Sequence, residues 1–255
     1  MANQPVFEVR LASVHFGPVR ALTDVDLTIR PGERIVLIGA SGAGKSSVLG
    51  LLNGTVAATA GRVLVRQHDL ASVSARRLRA LRRGIGTIHQ QFDLVGQLRV
   101  VHNVNAGRLG HWPLWKALLS LVSPRDLGPV RQALRRVGID EKLYDRTENL
   151  SGGEQQRVAI ARVLVQQPTA ILADEPIASL DPTRGREILN LLHDVSAETG
   201  TTLVASLHDV DAALDRFTRV IGLRRGRVVF DTAPAALAHS DIDALYALDQ
   251  GCEPA

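Results

Sequence analysis

Apolar residues change their spacing twice along the chain. Near the N-terminus they alternate: Val25-Asp26-Leu27-Thr28-Ile29 puts every second side chain on one face, and short β-rich runs occupy Val6 to Leu11 and Val63 to Val65. A period of two marks half-buried strands, so an antiparallel sheet is predicted here. Pro31-Gly32 signals a turn, after which Arg34-Ile35-Val36-Leu37-Ile38 reads as a continuous apolar run, as expected of a strand covered on both faces. From about Gln91 to Val165 the spacing becomes mostly helical, with loops marked by Gly107, Gly110, Pro113, Pro124, Gly128 and Pro129. Two more buried strands, Ala170 to Ala173 and Thr202 to Leu207, flank a helical stretch from Arg184 to Ser196. That alternation is a parallel βαβ unit. Val220 to Leu223 and Val228 to Phe230, joined by Arg224-Arg225-Gly226-Arg227, read as a closing hairpin. The whole predicts an α/β fold. Residues 1–90 and 166–255 form its core with an antiparallel β subdomain, and residues 91–165 form an inserted helical subdomain.

Composition narrows the function classes. With 255 residues, 45% apolar and 22% charged, the chain has enough apolar material for a sizeable core, so disorder is excluded as its main state. Aromatic residues at 4% offer no stacking platform for single-stranded nucleic acid, and no nucleic-acid partner is expected. The single cysteine, Cys252, cannot build an intrachain disulfide framework, which fits a reducing compartment. No secretory signal is visible in MANQPVFEVR, and no apolar run approaches the roughly 18 to 20 residues of a membrane span. A cytoplasmic location is expected unless a partner holds the chain at a membrane. Net charge is +4, and the only lysines are Lys45, Lys116 and Lys142. Arg76, Arg77, Arg79, Arg82 and Arg83 have helical spacing with Leu78 and Leu81 turned inward, and are read as a solvated face rather than a contact for phosphate or lipid head groups.

The chemistry-bearing residues follow the predicted strands. Gly39-Ala40-Ser41-Gly42-Ala43-Gly44-Lys45-Ser46 fits the phosphate-loop pattern G-x-x-x-x-G-K-[ST] between a strand and a helix, and Ser47 follows it. Its glycines let backbone N–H groups wrap a phosphate chain at the positive end of the helix. Lys45 supplies a charge for the β- and γ-phosphates, and Ser46 a hydroxyl for Mg²⁺. Asp174 and Glu175 directly follow a buried strand, where open parallel sheets bind ligands; Asp174 suits Mg²⁺ and Glu175 suits an attacking water. In Leu150-Ser151-Gly152-Gly153-Glu154-Gln155 the serine and glutamate have capping-box spacing. Two glycines just inside a helix cost about 0.5 to 1 kcal/mol each relative to Ala, so capping alone does not explain them. A bare helix N-terminus suits close approach of an anion.

A phosphate loop, then Leu-Ser-Gly-Gly-Glu-Gln with Ser151 standing 23 residues before Asp174, then a His after the next strand, resembles the nucleotide-binding subunit of an ATP-binding cassette (ABC) transporter over nearly the whole chain. The resemblance implies a P-loop NTPase core of RecA type and further roles. Phe16 stands where the family stacks an aromatic on adenine, although spacing alone favours core packing. Gln90, rather than its neighbour Gln91, is the Q-loop glutamine that touches Mg²⁺ and the attacking water and faces the membrane partner. Asp181 is the D-loop residue, although it precedes Pro182 and equally suits a turn. His208 contacts the γ-phosphate. Two copies close head to tail, so that Ser151, Gly152, Gly153, Glu154 and Gln155 of one cover the ATP of the other; topology alone also permits one copy to bring both segments together. The implied partners are a second ATPase subunit, integral membrane permease subunits and, indirectly, a periplasmic solute-binding protein, at the cytoplasmic face of the inner membrane.

Several non-catalytic stretches are similar to the phosphonate-import branch: Gln90 to Val95, Leu109-Gly-His-Trp-Pro-Leu-Trp115, Ala173 to Pro182 and Leu207-His-Asp-Val-Asp211. Phosphite importers share them. The insert from Trp112 to Val122 suits either a subunit-docking surface or a local helical core. Departures from the family are His89 for the usual Phe, Ser47 for Thr and Phe16 for Tyr; none removes a catalytic group. The competing readings are a soluble ATPase of a carbon–phosphorus lyase complex, an importer subunit for another small solute, and a DNA-organising ATPase, which the short span from Lys45 to Ser151 disfavours.

Overall fold

A computed structural model of the chain describes residues 4–122, 126–178, 180–208 and 214–246. Two sheets organise it. The first is antiparallel, with order β2-β1-β4-β5, built from β1 (Phe7–Phe16), β2 (Val19–Ile29), β4 (Ala60–Val65) and β5 (His68–Asp69). The second has order β10-β9-β3-β8-β7-β6, from β3 (Arg34–Ile38), β6 (Ile85–Ile88), β7 (Ala170–Asp174), β8 (Thr202–Ser206), β9 (Arg219–Arg224) and β10 (Arg227–Thr232). All of its neighbouring strands are parallel except the β9–β10 hairpin. That hairpin turns at Arg225 and Gly226, both at positive φ, as a two-residue turn of matching twist requires.

The central strands are apolar throughout because each face has its own core. Ile35, Leu37, Ala170, Leu172 and Val204 point into a cluster shared with the antiparallel sheet and helix α1 (Lys45–Asn53). Val36, Ile38, Ile171, Ala173, Leu203 and Ala205 point into a second cluster. That cluster also takes residues of α3 (Val100–Asn105), α5 (Leu127–Arg136), α6 (Gly152–Gln166) and α7 (Pro182–Thr199). Alternate residues of one strand thus seal two layers of aliphatic packing. The remaining α-helices among the described residues are α2 (Ala75–Arg82), α4 (Leu114–Val122) and α8 (His239–Tyr246).

Several local expectations need correcting. Helix does not begin near Gln91: residues 91–99 form an irregular loop, with Phe92 and Asp93 at φ of 61° and 47°. Gly128 and Pro129 lie in the first turn of α5, where backbone N–H groups have no intrahelical partner and proline removes no bond. On α2, Leu81 is buried and Leu78 only half-buried. Arg82 does not join a solvated face: its guanidinium donates to the carbonyls of Asn53 (3.0 Å) and Gly54 (2.5 Å), closing the C-terminus of α1. Cys252, Asp209 to Asp211 and Ser179 lie outside the described residues.

One buried amide ties the loop after Gln90 to the segment before Ser151. Asn103, on α3, accepts from the Val95 N–H (2.9 Å) and donates to the Val95 carbonyl (2.9 Å) and to Thr147 Oγ1 (2.8 Å). Thr147 in turn donates its hydroxyl to the Leu98 carbonyl at 3.0 Å. Replacing Asn103 by Ala removes three hydrogen bonds, one of them fully buried, so Asn103→Ala is expected to lower unfolding free energy by about 1 to 3 kcal/mol. Urea denaturation with an unchanged m-value checks this; an unshifted midpoint would contradict it.

Candidate functional site

Four parallel strands deliver the candidate residues to one edge of the second sheet. β3 runs into Gly39 to Gly44, β7 ends at Asp174 before Glu175, β8 leads through Leu207 to His208, and β6 leads through His89 to Gln90. This is the carboxyl edge, where ligands bind in open α/β folds.

The phosphate loop is shaped before any ligand arrives. Gly39 has φ +150°, and a Cβ there would stand 2.2 Å from the Leu223 carbonyl oxygen; at Gly44, φ +107°, it would meet Leu22 Cδ2 at 2.7 Å and Ala21 O at 2.8 Å. Only glycine fits where the loop is wedged between β9 and β2. The loop's third wall is the Arg225–Gly226 turn, whose Gly226 N–H donates to the Ala43 carbonyl at 3.0 Å. Ala40, Ser41 and Gly42 form the exposed crest, and Ser47 is half-buried within α1. No side chain caps α1, so its first N–H groups face the loop. Lys45 is buried and donates to the carbonyls of Gly39 (2.8 Å) and Ala40 (3.1 Å). Burial holds its ammonium below the usual lysine range, while Glu175 and Asp174 pull the other way.

Asp174 gathers two hydroxyls. Its Oδ1 accepts from Ser46 at 3.1 Å and from Ser206 at 2.7 Å. Ser206 Oγ also accepts the Glu175 N–H at 2.8 Å. Glu175 is in the left-handed region at φ +47°, a conformation that costs a non-glycine residue about 1 to 3 kcal/mol unless its surroundings hold it. Its Oε1 lies 2.5 Å from His208 Nε2, so carboxylate and imidazole pair directly. The Tyr246 hydroxyl, from α8, donates to the His208 carbonyl at 3.3 Å. Ser206 was missed in the sequence because a serine ending an apolar strand carries no motif; its burial is the signal, since a buried hydroxyl needs partners.

The other candidates stand apart: among the described residues no hydrogen bond or ion pair joins Phe16, Gln90, Asp181 or Ser151 to Gln155 to the Lys45–Glu175 group. Phe16 is 53% exposed and pairs with Val19, 61% exposed, at the tip of the β1–β2 hairpin, so it is not core packing. β2 passes beside the phosphate loop at Ala21 and Leu22, which places that apolar tip at the loop's flank. Gln90 is exposed. The turn that follows it is clamped by Arg162 of α6, which donates to the carbonyls of Phe92 (2.8 Å) and Asp93 (2.6 Å). Asp181 caps α7, its Oδ1 accepting from the N–H groups of Thr183 and Arg184 at 3.1 Å each. Ser151 and Glu154 close a capping box on α6. They line a cleft with Arg184 and Glu187 of α7. A Cβ at Gly152 would meet nothing within 4 Å among the described residues, and one at Gly153 only ordinary contacts, so no described contact requires either glycine. Gln155 donates to the Leu150 carbonyl at 3.0 Å. In the insert, Lys116 and Arg108 lie over the Trp112 ring, and Trp115 and Leu119 are exposed.

The donor set suits Mg²⁺. Ser46 and Asp174, 128 residues apart, present a hydroxyl and a carboxylate, hard oxygen donors, within hydrogen-bond distance of each other. No cluster of three or more His, Cys, Asp or Glu is present among the described residues. Beyond these two donors the ion's ligands would include water and substrate phosphate, the usual arrangement for Mg²⁺.

Fold and site together define a nucleotide-binding subunit of the P-loop class. Residues 22–178 match the family described as ABC transporter, and the chain belongs to that family. It is 49% identical over 98% of its length to the phosphonates import ATP-binding protein PhnC of Anaeromyxobacter dehalogenans, of which it spans half. It is 48% identical to PhnC 1 of Pseudomonas aeruginosa PAO1 (93% of this chain, 89% of that one). To PhnC of Lactobacillus delbrueckii subsp. bulgaricus it is 40% identical over 99% of both. Among solved structures it is similar to the cassette MJ0796 in a dimeric post-hydrolysis state bound to ADP and Pi, with TM-score 0.78, 28% identity and coverage of 91% and 100%. It is also similar to cbiO1 of Clostridium perfringens, part of the ABC transporter complex cbiONQ, with TM-score 0.79, 28% identity and 94% of each chain covered. Among the described residues no helix is long and apolar enough to cross a membrane.

Glu154 gives this region a pH signature. The Ser151 N–H and hydroxyl hold its carboxyl below the ordinary 4.5, with Lys142 and Arg184 assisting and burial opposing. A depressed carboxyl contributes stability that is complete above its unfolded value and disappears as pH falls through its native one. The stability lost in Glu154→Gln should therefore be constant from neutrality down to about pH 5 and shrink below that. Denaturant midpoints across this range check it; a gap undiminished at about pH 3 would contradict it.

Proposed function

We propose that this chain is the ATP-hydrolysing subunit of an importer for phosphonates or a related phosphorus oxyanion, working as a pair of copies beneath membrane permease subunits. The observation that carries the ATPase reading is the Ser46–Asp174 contact, which unites phosphate loop and acidic strand end at one edge. The cargo is supported by the curated names of relatives that match nearly the whole chain.

On ATP binding, Lys45 exchanges the Gly39 and Ala40 carbonyls for the β- and γ-phosphates, and the bare N–H groups of the loop and α1 take the remaining oxygens. Phe16 stacks on adenine. Ser46 and Asp174, together with Gln90, would hold Mg²⁺, which would supply neutralisation of phosphate charge. Glu175 orients a water molecule and takes its proton as the water oxygen attacks the γ-phosphorus; the bond from that phosphorus to the bridging oxygen breaks, and ADP and inorganic phosphate leave. His208, paired with Glu175 beforehand, turns its N–H to the γ-phosphate. The glycines at 152 and 153, required by no contact among the described residues, leave Ser151 and the start of α6 open to the nucleotide of a second copy. Asp181 lies on the adjoining cleft, with Glu175 and His208. A periplasmic binding protein would deliver the anion, and the subunit would sit at the cytoplasmic face of the inner membrane through its permease.

Glu175→Gln should bind ATP normally and hydrolyse it on the order of 10² to 10³ times more slowly. Calorimetry together with phosphate release tests this, and a wild-type rate would remove Glu175 from the base role. Phe16→Ala should weaken ATP binding by about 1 to 3 kcal/mol while leaving the hydrolysis rate at saturation unchanged. For the cargo, deleting the gene should abolish uptake of a radiolabelled alkylphosphonate, restored by wild type and not by Glu175→Gln. Undiminished uptake in the deletion strain would refute the transport reading and leave the ATPase reading standing.

A further inference from the structure

β8 occupies the centre of the second sheet, between the strand that feeds the phosphate loop and the strand that ends in Asp174. Its last residue, Ser206, is in register with Leu37 on one side and Asp174 on the other. The side chain is fully buried, in a strand whose other core positions are filled by Leu203, Val204 and Ala205. A polar atom at such a place is accounted for only by its partners.

Those partners fix its orientation. The Glu175 N–H can only donate, so Ser206 Oγ accepts there, at 2.8 Å, and its single proton is committed to Asp174 Oδ1 at 2.7 Å. With Ser46 also donating to Oδ1, two hydroxyls from different elements converge on this one oxygen and fix the carboxylate between them. The same hydroxyl anchors the amide of a residue in the left-handed region, and the chain continues from Ser206 through Leu207 to His208, the partner of Glu175. One side chain therefore braces the carboxylate that would hold the metal, the backbone of the residue that would activate water, and the strand that carries its histidine.

We propose that Ser206 is a positioning residue for ATP hydrolysis: its hydroxyl sets the orientation of Asp174 and the backbone of Glu175, so that losing it separates nucleotide binding from its Mg²⁺-dependent strengthening and from turnover. The inference rests on the ATPase reading of this site.

The test uses full-length Ser206→Ala, Ser206→Thr and Val204→Ala, the last removing buried apolar volume from the same strand without touching the hydroxyl. ATP binding is measured by calorimetry with EDTA and with Mg²⁺, beside kcat, KM and thermal unfolding. Ser206→Ala should bind ATP in EDTA like wild type, lose about fivefold or more of the affinity gained on adding Mg²⁺, and lose about tenfold or more in kcat with little change in KM. Ser206→Thr, which keeps the hydroxyl, should recover most of both. Wild-type Mg²⁺ enhancement and kcat in Ser206→Ala would overturn the proposal, and so would an equal kcat loss in Val204→Ala at matched stability. If wild type itself neither binds nor hydrolyses ATP, the reading beneath the proposal has failed; if it does both and Ser206→Ala matches it, only the proposal has.

Discussion

A carboxylate at the end of a buried parallel strand must be satisfied, and the way Asp174 is satisfied organises this molecule. Its Oδ1 draws hydroxyls from Ser46, across the sheet, and from Ser206 on the neighbouring strand. These contacts hold together segments separated by 128 and 32 residues, and they form only if β3, β8 and β7 end level with one another. The level ending follows from the parallel register, and the register follows from two aliphatic layers that each claim alternate residues of the same strands. Site geometry is thus a consequence of core packing rather than an addition to it.

The phosphate loop shows the same economy. Its shape comes from what surrounds it: the Leu223 carbonyl beside Gly39, Leu22 beside Gly44 and the Gly226 amide on Ala43. The closing hairpin and the second strand of the antiparallel sheet, which carry no catalytic group themselves, therefore act as a mould. Arg219 fastens this mould from below, bonding Asp231 through two nitrogens at 2.6 Å and the Thr28 carbonyl at 2.8 Å, with its guanidinium held above the ordinary arginine range chiefly by Asp231.

Strands buried on both faces were legible from the sequence because continuous apolar runs bounded by turn residues admit few alternatives; Arg34–Ile38 is the run that was read. The hairpin at Arg225-Gly226 was legible for its turn chemistry. The irregular loop after Gln90 was not: its residues Phe92 and Asp93 have positive φ, and the arginine that bonds their carbonyls, Arg162, is about seventy residues away, where no local pattern announces it. Arg82 was misread for a related reason, since an arginine on a basic helix face looks alike whether it meets water or the carbonyls ending a neighbouring helix. In the site, motif residues declared themselves through glycine spacing and strand context. Ser206 did not, since its chemistry lies in a depth and an orientation that one-dimensional patterns omit.

The clamp of Arg162 on the Phe92 and Asp93 carbonyls gives helix α6 a double allegiance. Its N-terminus carries Ser151 and the two glycines, and its middle grips the turn behind Gln90. Because α6 is one unbroken helix and the clamp consists of two charge-assisted bonds, the turn behind Gln90 and the serine end are fastened to a single element, so the two surfaces share one support rather than hanging on separate loops.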